Sequence, residues 1–179
     1  MYVVFIHGPV AAGKHTVGTE LSSLMGIPLL HNHLAVDLAL TLFPFGTPAF
    51  RRIRAAIWLN CFTEAALAER SFIFTFNPES TVEPELIDQM VHSVTERGGK
   101  VFFVELTCSR ETILRRLGSE SRARFGKLTD PALYETLEAQ NVFAFPPLPA
   151  PLASIDTDKF PPAAAAARIA ELLRAQTGV

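Results

Sequence analysis

Four consecutive apolar residues, Val3-Val4-Phe5-Ile6, run through His7 into the turn Gly8-Pro9-Val10-Ala11-Ala12-Gly13. An apolar run without polar alternation reads as a strand covered on both faces, as in a parallel sheet. A parallel sheet needs a crossover after each strand, usually a helix, so this feature constrains the whole chain to alternate the two. The rest of the chain follows that alternation. Val17, Leu21, Leu24 and Met25 recur at helical spacing, and Gly26-Ile27-Pro28 ends their helix. A short second strand is expected at 28–30, a helix at 34–43 closed by Pro44-Phe45-Gly46, and a longer helix at 48–69. Residues 71–76, dense in Phe and Ile, form a third strand closed by Asn77-Pro78. Helix 83–97 stops at Gly98-Gly99, strand 101–106 follows, and Ser109 caps a helix through 117 with Glu111 in its first turn.

Residues 118–127 are polar and basic with no hydrophobic period, and Asp130-Pro131 opens the next helix. Residues 145–152 hold four prolines and read as an extended connector over the surface. A fifth strand at 153–156 and a helix at 162–175 close the chain. The expected fold is α/β, a five-stranded parallel sheet with helices on both faces, in one domain over 1–179. Ligands of such sheets gather at the carboxyl ends of the strands. The segments to inspect are therefore 7–16, 31–33, 76–78 and the loop after Asp156.

Composition removes other classes. A chain of 179 residues buries roughly 70% of its unfolded surface and needs no disulfide or metal staple. Sixteen Lys and Arg against eighteen Asp and Glu give a net charge of −2, so no specific nucleic acid partner is expected. Cys61 and Cys108 are too few for a disulfide framework and read as two buried, reduced thiols. The N-terminus lacks a secretory pattern, and no stretch approaches the roughly 20 apolar residues that cross a bilayer. A cytoplasmic protein with no membrane partner is expected, as a monomer or homodimer.

The turn carries the chemistry. Gly8-Pro9-Val10-Ala11-Ala12-Gly13-Lys14-His15-Thr16 fits G-x-x-x-x-G-K, with Thr one place later than the strict pattern. Gly8 and Gly13 let backbone N–H groups turn inward around phosphate oxygens. Lys14 supplies a point charge to the terminal phosphates, and the following helix N-terminus adds its partial positive charge. Thr16 offers a hydroxyl to Mg²⁺.

The G-K-x-T ending on a short chain resembles the nucleoside-monophosphate and shikimate kinase branch of P-loop kinases. Further segments extend the resemblance. Thr107-Cys108-Ser109-Arg110-Glu111-Thr112-Ile113-Leu114-Arg115-Arg116-Leu117 resembles the approach to that branch's lid, and Ile155-Asp156-Thr157 its last strand before the loop bordering adenine. Phe50-Arg51-Arg52-Ile53 resembles the shikimate kinase segment whose first Arg grips the substrate carboxylate. The 71–117 stretch is also similar to tunicamycin-resistance ATP-binding proteins of the same fold.

The resemblance implies a shikimate-kinase-like P-loop NTPase fold, ATP and Mg²⁺ as cofactors, and a small-molecule acceptor. The lid would cover about 118–128, and the substrate-side helices about 34–69. ATP would bind to residues 8–16, with Arg116 stacking on adenine and 158–161, including Lys159, along the base edge. Arg116, Arg122, Arg124 and Lys127 would bring positive charge over the transferring phosphoryl group.

One departure affects the acceptor side. The branch ends its second strand in D-x-D, whose carboxylates assist Mg²⁺ and touch the acceptor hydroxyl; here the stretch is His31-Asn32-His33. Imidazole is a poor ligand for a hard cation, but it titrates near neutrality, so His33 is a candidate base. Asp37, one helical turn later, is the alternative acid, and His7, His31 and His33 together pose a transition-metal set. Arg51 and Arg54 share a helix face at i,i+3, either as an anion clamp beside His31 and His33 or as a solvated face; Trp58 reads as core.

Two functions compete. One is a kinase transferring the γ-phosphate of ATP to a small-molecule hydroxyl. The other is a nucleotide-binding module without phosphotransfer, acting by sequestration, in resistance or as an ATP-dependent switch. The missing carboxylates favour the module; Lys14, Thr16 and the basic lid favour the kinase.

Overall fold

The computed structural model describes residues 1–118 and 128–178. Five strands form one all-parallel sheet: β1 (Tyr2–His7), β2 (Leu29–His31), β3 (Phe72–Phe76), β4 (Lys100–Thr107) and β5 (Ala153–Asp156). Their spatial order is β2-β3-β1-β4-β5. The crossovers carry α1 (Lys14–Met25), α2 (His33–Leu40), α3 (Pro48–Leu67), α4 (Pro84–Thr95), α5 (Arg110–Leu117) and α6 (Pro131–Ala139), and α7 (Pro162–Thr177) closes the chain. The expected five-stranded α/β architecture is the observed one. Of the expected lid, residues 119–127, with Arg122, Arg124 and Lys127, lie outside the described residues.

Strand alternation divides the core. Val3 and Phe5 face a layer made by α3 and α4, where Trp58, Phe62, Phe74, Phe76 and Phe103 pack. Val4 and Ile6 face α1 and α7, meeting Leu21, Ile73, Leu106 and Ile169. Phe5 is central to the first layer, with ring centroids 5.1 Å from Phe74, 5.6 Å from Phe76 and 4.8 Å from Phe103. Such tilted and edge-on pairs add to the area each ring buries.

Local signals set the element ends. Gly26 ends α1 in the left-handed region. Thr47, Ser109 and Asp130 cap α3, α5 and α6 by accepting from the amides of Phe50, Thr112 and Ala132. The second helix stops at Leu40, earlier than the expected 43, because Thr41, Leu42 and Phe43 close turns onto Leu38 and Ala39. Two expectations on burial are corrected. Cys61 and Cys108 are half-buried free thiols. The proline-rich connector is more than a surface strand: Phe145 packs 5.3 Å from the Phe76 ring, and Leu148 joins the same core.

β1 is the switch point. The chain moves from it toward β2 and β3 on one side, then returns to place β4 and β5 on the other. The crevice for a ligand therefore opens at the carboxyl end of β1, where His7 lies level with Phe76 and Glu105. His7 is 7% exposed, and its Nε2 has no hydrogen-bond partner among the described residues.

Burial pushes the His7 pKa below the ordinary imidazole value; the Lys14 charge adds to this and Glu105 opposes it. The unfolded chain therefore binds the proton more readily, so stability is complete above about pH 6.5 and falls as pH drops toward the native His7 pKa. Urea midpoints at pH 7.5 and 5.5 check this, and His7→Gln is expected to lose less stability over that interval than the wild type.

Candidate functional site

The loop after β1 is shaped by backbone angles that few residues accept. Gly8 takes φ +140°, and a Cβ there would lie 2.1 Å from the Leu106 carbonyl oxygen. Gly13 takes φ +89°, and Ala11 is held at φ 60°, a conformation costing a non-glycine residue roughly 1–2 kcal/mol. Strain of this kind collects where a loop is bent for binding. α1 then begins at Lys14 with no side-chain cap, so its first-turn amides have no partner supplied by a capping residue. Lys14 Nζ crosses the loop, donating to Gly8 O (2.8 Å), Pro9 O (2.6 Å) and Asn77 Oδ1 (3.2 Å). The arrangement suits a row of phosphate oxygens.

A cavity of about 770 Å³ opens over the carboxyl edge, and residues 10–17 form its floor. On the β4–β5 side it is walled by Arg116, Thr157, Phe160 and Pro162. Arg116 donates to Ala11 O (3.2 Å), Thr157 Oγ1 (3.0 Å) and Thr157 O (2.8 Å), tying the loop to the turn after β5. Asp158 secures that turn by accepting from the Ser109 amide at 2.8 Å, and the hydrogen bonds from Ser109 hold its carboxyl down at about 2. Lys159 does not reach this wall. It is 78% exposed and pairs with Asp156 at 3.0 Å, leaving Phe160 to face the cavity.

On the β2–β3 side the walls are His31, Asn32, His33, Val36, Leu40, Phe45, Arg54, Trp58, Thr75, Asn77 and Glu79. The His31 ring meets His15 of the loop edge-on, centroids 4.8 Å apart. His33 opens α2 with Nδ1 3.7 Å from Asp37 Oδ1, while Asp37 is mostly exposed and outside the lining. Among the described residues no three His, Cys, Asp or Glu come together to hold a metal ion, so His7, His31 and His33 do not form the set that their spacing suggested. Thr16 lines the cavity beside the loop that follows β1.

The two helix arginines part company. Arg51 donates through Nε to Gly46 O at 2.9 Å, lies 3.8 Å from Glu83 and is not part of the cavity wall. Arg54 is 2% exposed; it donates to Glu79 Oε1 at 2.5 Å, Thr81 Oγ1 at 3.1 Å and Thr81 O at 2.8 Å. Its guanidinium carbon stands 5.2 Å from the Phe50 ring centroid and 5.0 Å from that of Trp58. Burial lowers the Arg54 pKa, and Glu79 offsets that effect. Of the pair left open between an anion clamp and a solvated face, Arg54 is in a buried ion pair and Arg51 is partly exposed, because Glu79 enters from the loop after β3.

Glu79 is the residue that sequence reasoning overlooked. It lies two places past the strand-ending Asn77, in a loop with no hydrophobic period. Its one signal was closeness to a carboxyl edge already marked for inspection. Asn77, read only as part of the close of the third strand, is a Lys14 partner. Val142 also lines the cavity, drawn toward this loop by the Ser80 amide, which donates to Val142 O at 2.7 Å. Trp58, expected as core, is 1% exposed yet forms part of the cavity wall.

No protein-family model matches the chain, and no curated protein matches it by sequence. Solved structures do match in fold. An unliganded sugar kinase from a Janibacter species superposes with a TM-score of 0.66 at 19% identity, covering 97% of this chain and 94% of that one. A Mycobacterium tuberculosis APS kinase in complex with AMPPNP and APS gives 0.66 at 15% identity, over 97% of both chains. A shikimate kinase from Acinetobacter baumannii in complex with shikimate gives 0.56 at 19% identity, over 98% and 94%. The chain has the fold shared by these P-loop small-molecule kinases.

Proposed function

We propose that the protein transfers the γ-phosphoryl group of ATP to a hydroxyl of a small molecule, with Mg²⁺, in the cytoplasm, as a monomer or homodimer. One observation carries this reading: one cavity of about 770 Å³ is lined by Val10 to Lys14 of the loop and by Arg116, and also by His33 and Glu79. The donors fit the groups they would bind. Loop amides and Lys14 suit phosphates, and the Thr16 hydroxyl suits a hard cation completed by phosphate and water oxygens. Bound Mg²⁺ would neutralise charge on the phosphates during transfer.

In that reaction the acceptor oxygen bonds to the γ-phosphorus as the bond to the β–γ bridging oxygen breaks, and ADP leaves. The acceptor hydroxyl proton passes to His33, which faces the cavity while Asp37 stands behind it as a positioning residue. Lys14 and Arg116 favour charge on the transferring group, and Arg122 and Arg124 are proposed to add to it from the lid. Arg51 stays a candidate contact for a substrate anion only at the outer rim.

A second reading has one observation in its favour. Among the described cavity residues the one carboxylate, Glu79, is already paired with Arg54, as a nucleotide-binding module without transfer would allow. ATP consumption with a panel of alcohols separates the two readings, since the module would bind ATP and phosphorylate none.

Calorimetric titration with an ATP analogue tests the cradle. Lys14→Ala is expected to weaken binding about ten-fold or more, whereas Thr16→Ala is expected mainly to reduce its dependence on Mg²⁺. Unchanged affinity and metal response in both variants would remove the assignment.

Once an acceptor is found by labelled-ATP screening, His33→Gln is expected to lower turnover by about 10²–10⁴-fold with ATP affinity nearly intact. Steady-state rates with Asp37→Asn give the contrast. A larger loss there than in His33→Gln would move the base to Asp37.

A further inference from the structure

On the β2–β3 wall of the cavity the guanidinium of Arg54 and the carboxylate of Glu79 meet each other before any ligand arrives. Arg54 is the guanidinium of that wall, and its terminal nitrogens are spent on Glu79 Oε1, Thr81 Oγ1 and Thr81 O. Aromatic rings of Phe50 and Trp58 stand against its faces. Glu79 is held in turn, because Thr81 Oγ1 donates to its Oε1 at 2.6 Å. A carboxylate or phosphate entering here would have to displace Glu79 from a guanidinium that is itself buried, or stand beside a second carboxylate. Both routes leave an anion poorly compensated away from water. The rest of this wall sets apolar or aromatic side chains, Val36, Leu40, Phe45, Trp58 and Val142, beside the polar His31, Asn32, His33, Thr75 and Asn77.

We infer that the acceptor half selects an uncharged alcohol over an anion, with Glu79 as the residue that sets this preference by occupying Arg54. The inference rests on the kinase reading for the word acceptor, but the selectivity itself is a binding property. It acts against the wrong ligand by denying an anion its partner, rather than by adding a contact to the right one.

Trp58 supplies the readout, being the only tryptophan of the chain and part of this wall. Its fluorescence is followed without nucleotide while the protein is titrated with cyclohexylmethanol and, separately, with 4-(hydroxymethyl)cyclohexanecarboxylate; neither probe absorbs at the excitation wavelength. The expected result is a saturable response to the neutral alcohol, with a dissociation constant lower than that of the carboxylate by about ten-fold or more. Glu79→Gln, which keeps the shape and frees the Arg54 charge, is expected to shrink or reverse that preference. Equal or tighter binding of the carboxylate to the wild type would overturn the inference, as would no saturable response to the alcohol. A preference unchanged in folded Glu79→Gln would overturn the role given to Glu79; if that variant does not fold, the wild-type pair of titrations decides alone. Failure to bind an ATP analogue in calorimetry would instead count against the kinase reading and leave the Trp58 comparison standing.

Discussion

The Leu106 carbonyl oxygen occupies the place where a side chain at residue 8 would begin. This contact between β4 and the end of β1 forces the chain to turn out of the sheet there, and only glycine can make the turn. Everything at the functional edge follows from that exit. The loop curls over β1 instead of extending it, α1 starts with its amides toward the curl, and Lys14 is carried back across Gly8 and Pro9. A sheet buried on both faces makes the constraint stiff, since β1 cannot move away from β4 without opening two packed layers.

The cavity is electrostatically divided. Lys14 donates to the carbonyls of Gly8 and Pro9 and to the Asn77 amide oxygen, and Arg116 donates to Ala11 and Thr157. Arg54, of the same charge class, meets a carboxylate and is cancelled. One continuous space thus meets Lys14 and Arg116 toward the loop after β1 and the Arg54–Glu79 ion pair on the β2–β3 side.

The fold was legible because its signals are local and redundant. Val3-Val4-Phe5-Ile6 allows little but a doubly covered strand, and Gly26, Ser109 and Asp130 mark element ends by chemistry that acts within one turn. The cradle was legible for the same reason, since residues 8–16 form one contiguous segment. The acceptor side was not. Arg54 meets Glu79 across 25 residues of chain, and helical spacing alone paired it with Arg51 instead. Phe145 reads as connector by its proline neighbours, yet it is recruited into the core by Phe76, a contact no local rule encodes. Lys159 was assigned by its place in a resembling loop, while a nearer carboxylate, Asp156, determines where it points.

The second helix is attached to the body unlike its neighbours. Where α3 buries Phe50, Trp58 and Phe62, α2 buries Ala35 and Ala39, and it leaves Leu34 and Leu38 facing outward. A methyl group removes far less apolar area from water than a leucine or phenylalanine side chain, so α2 is held by a thin seam. It also bears His33, Val36 and Leu40 on the cavity wall. The fold therefore hangs one wall of its cavity on two alanines, beside a sheet packed on both faces by large side chains.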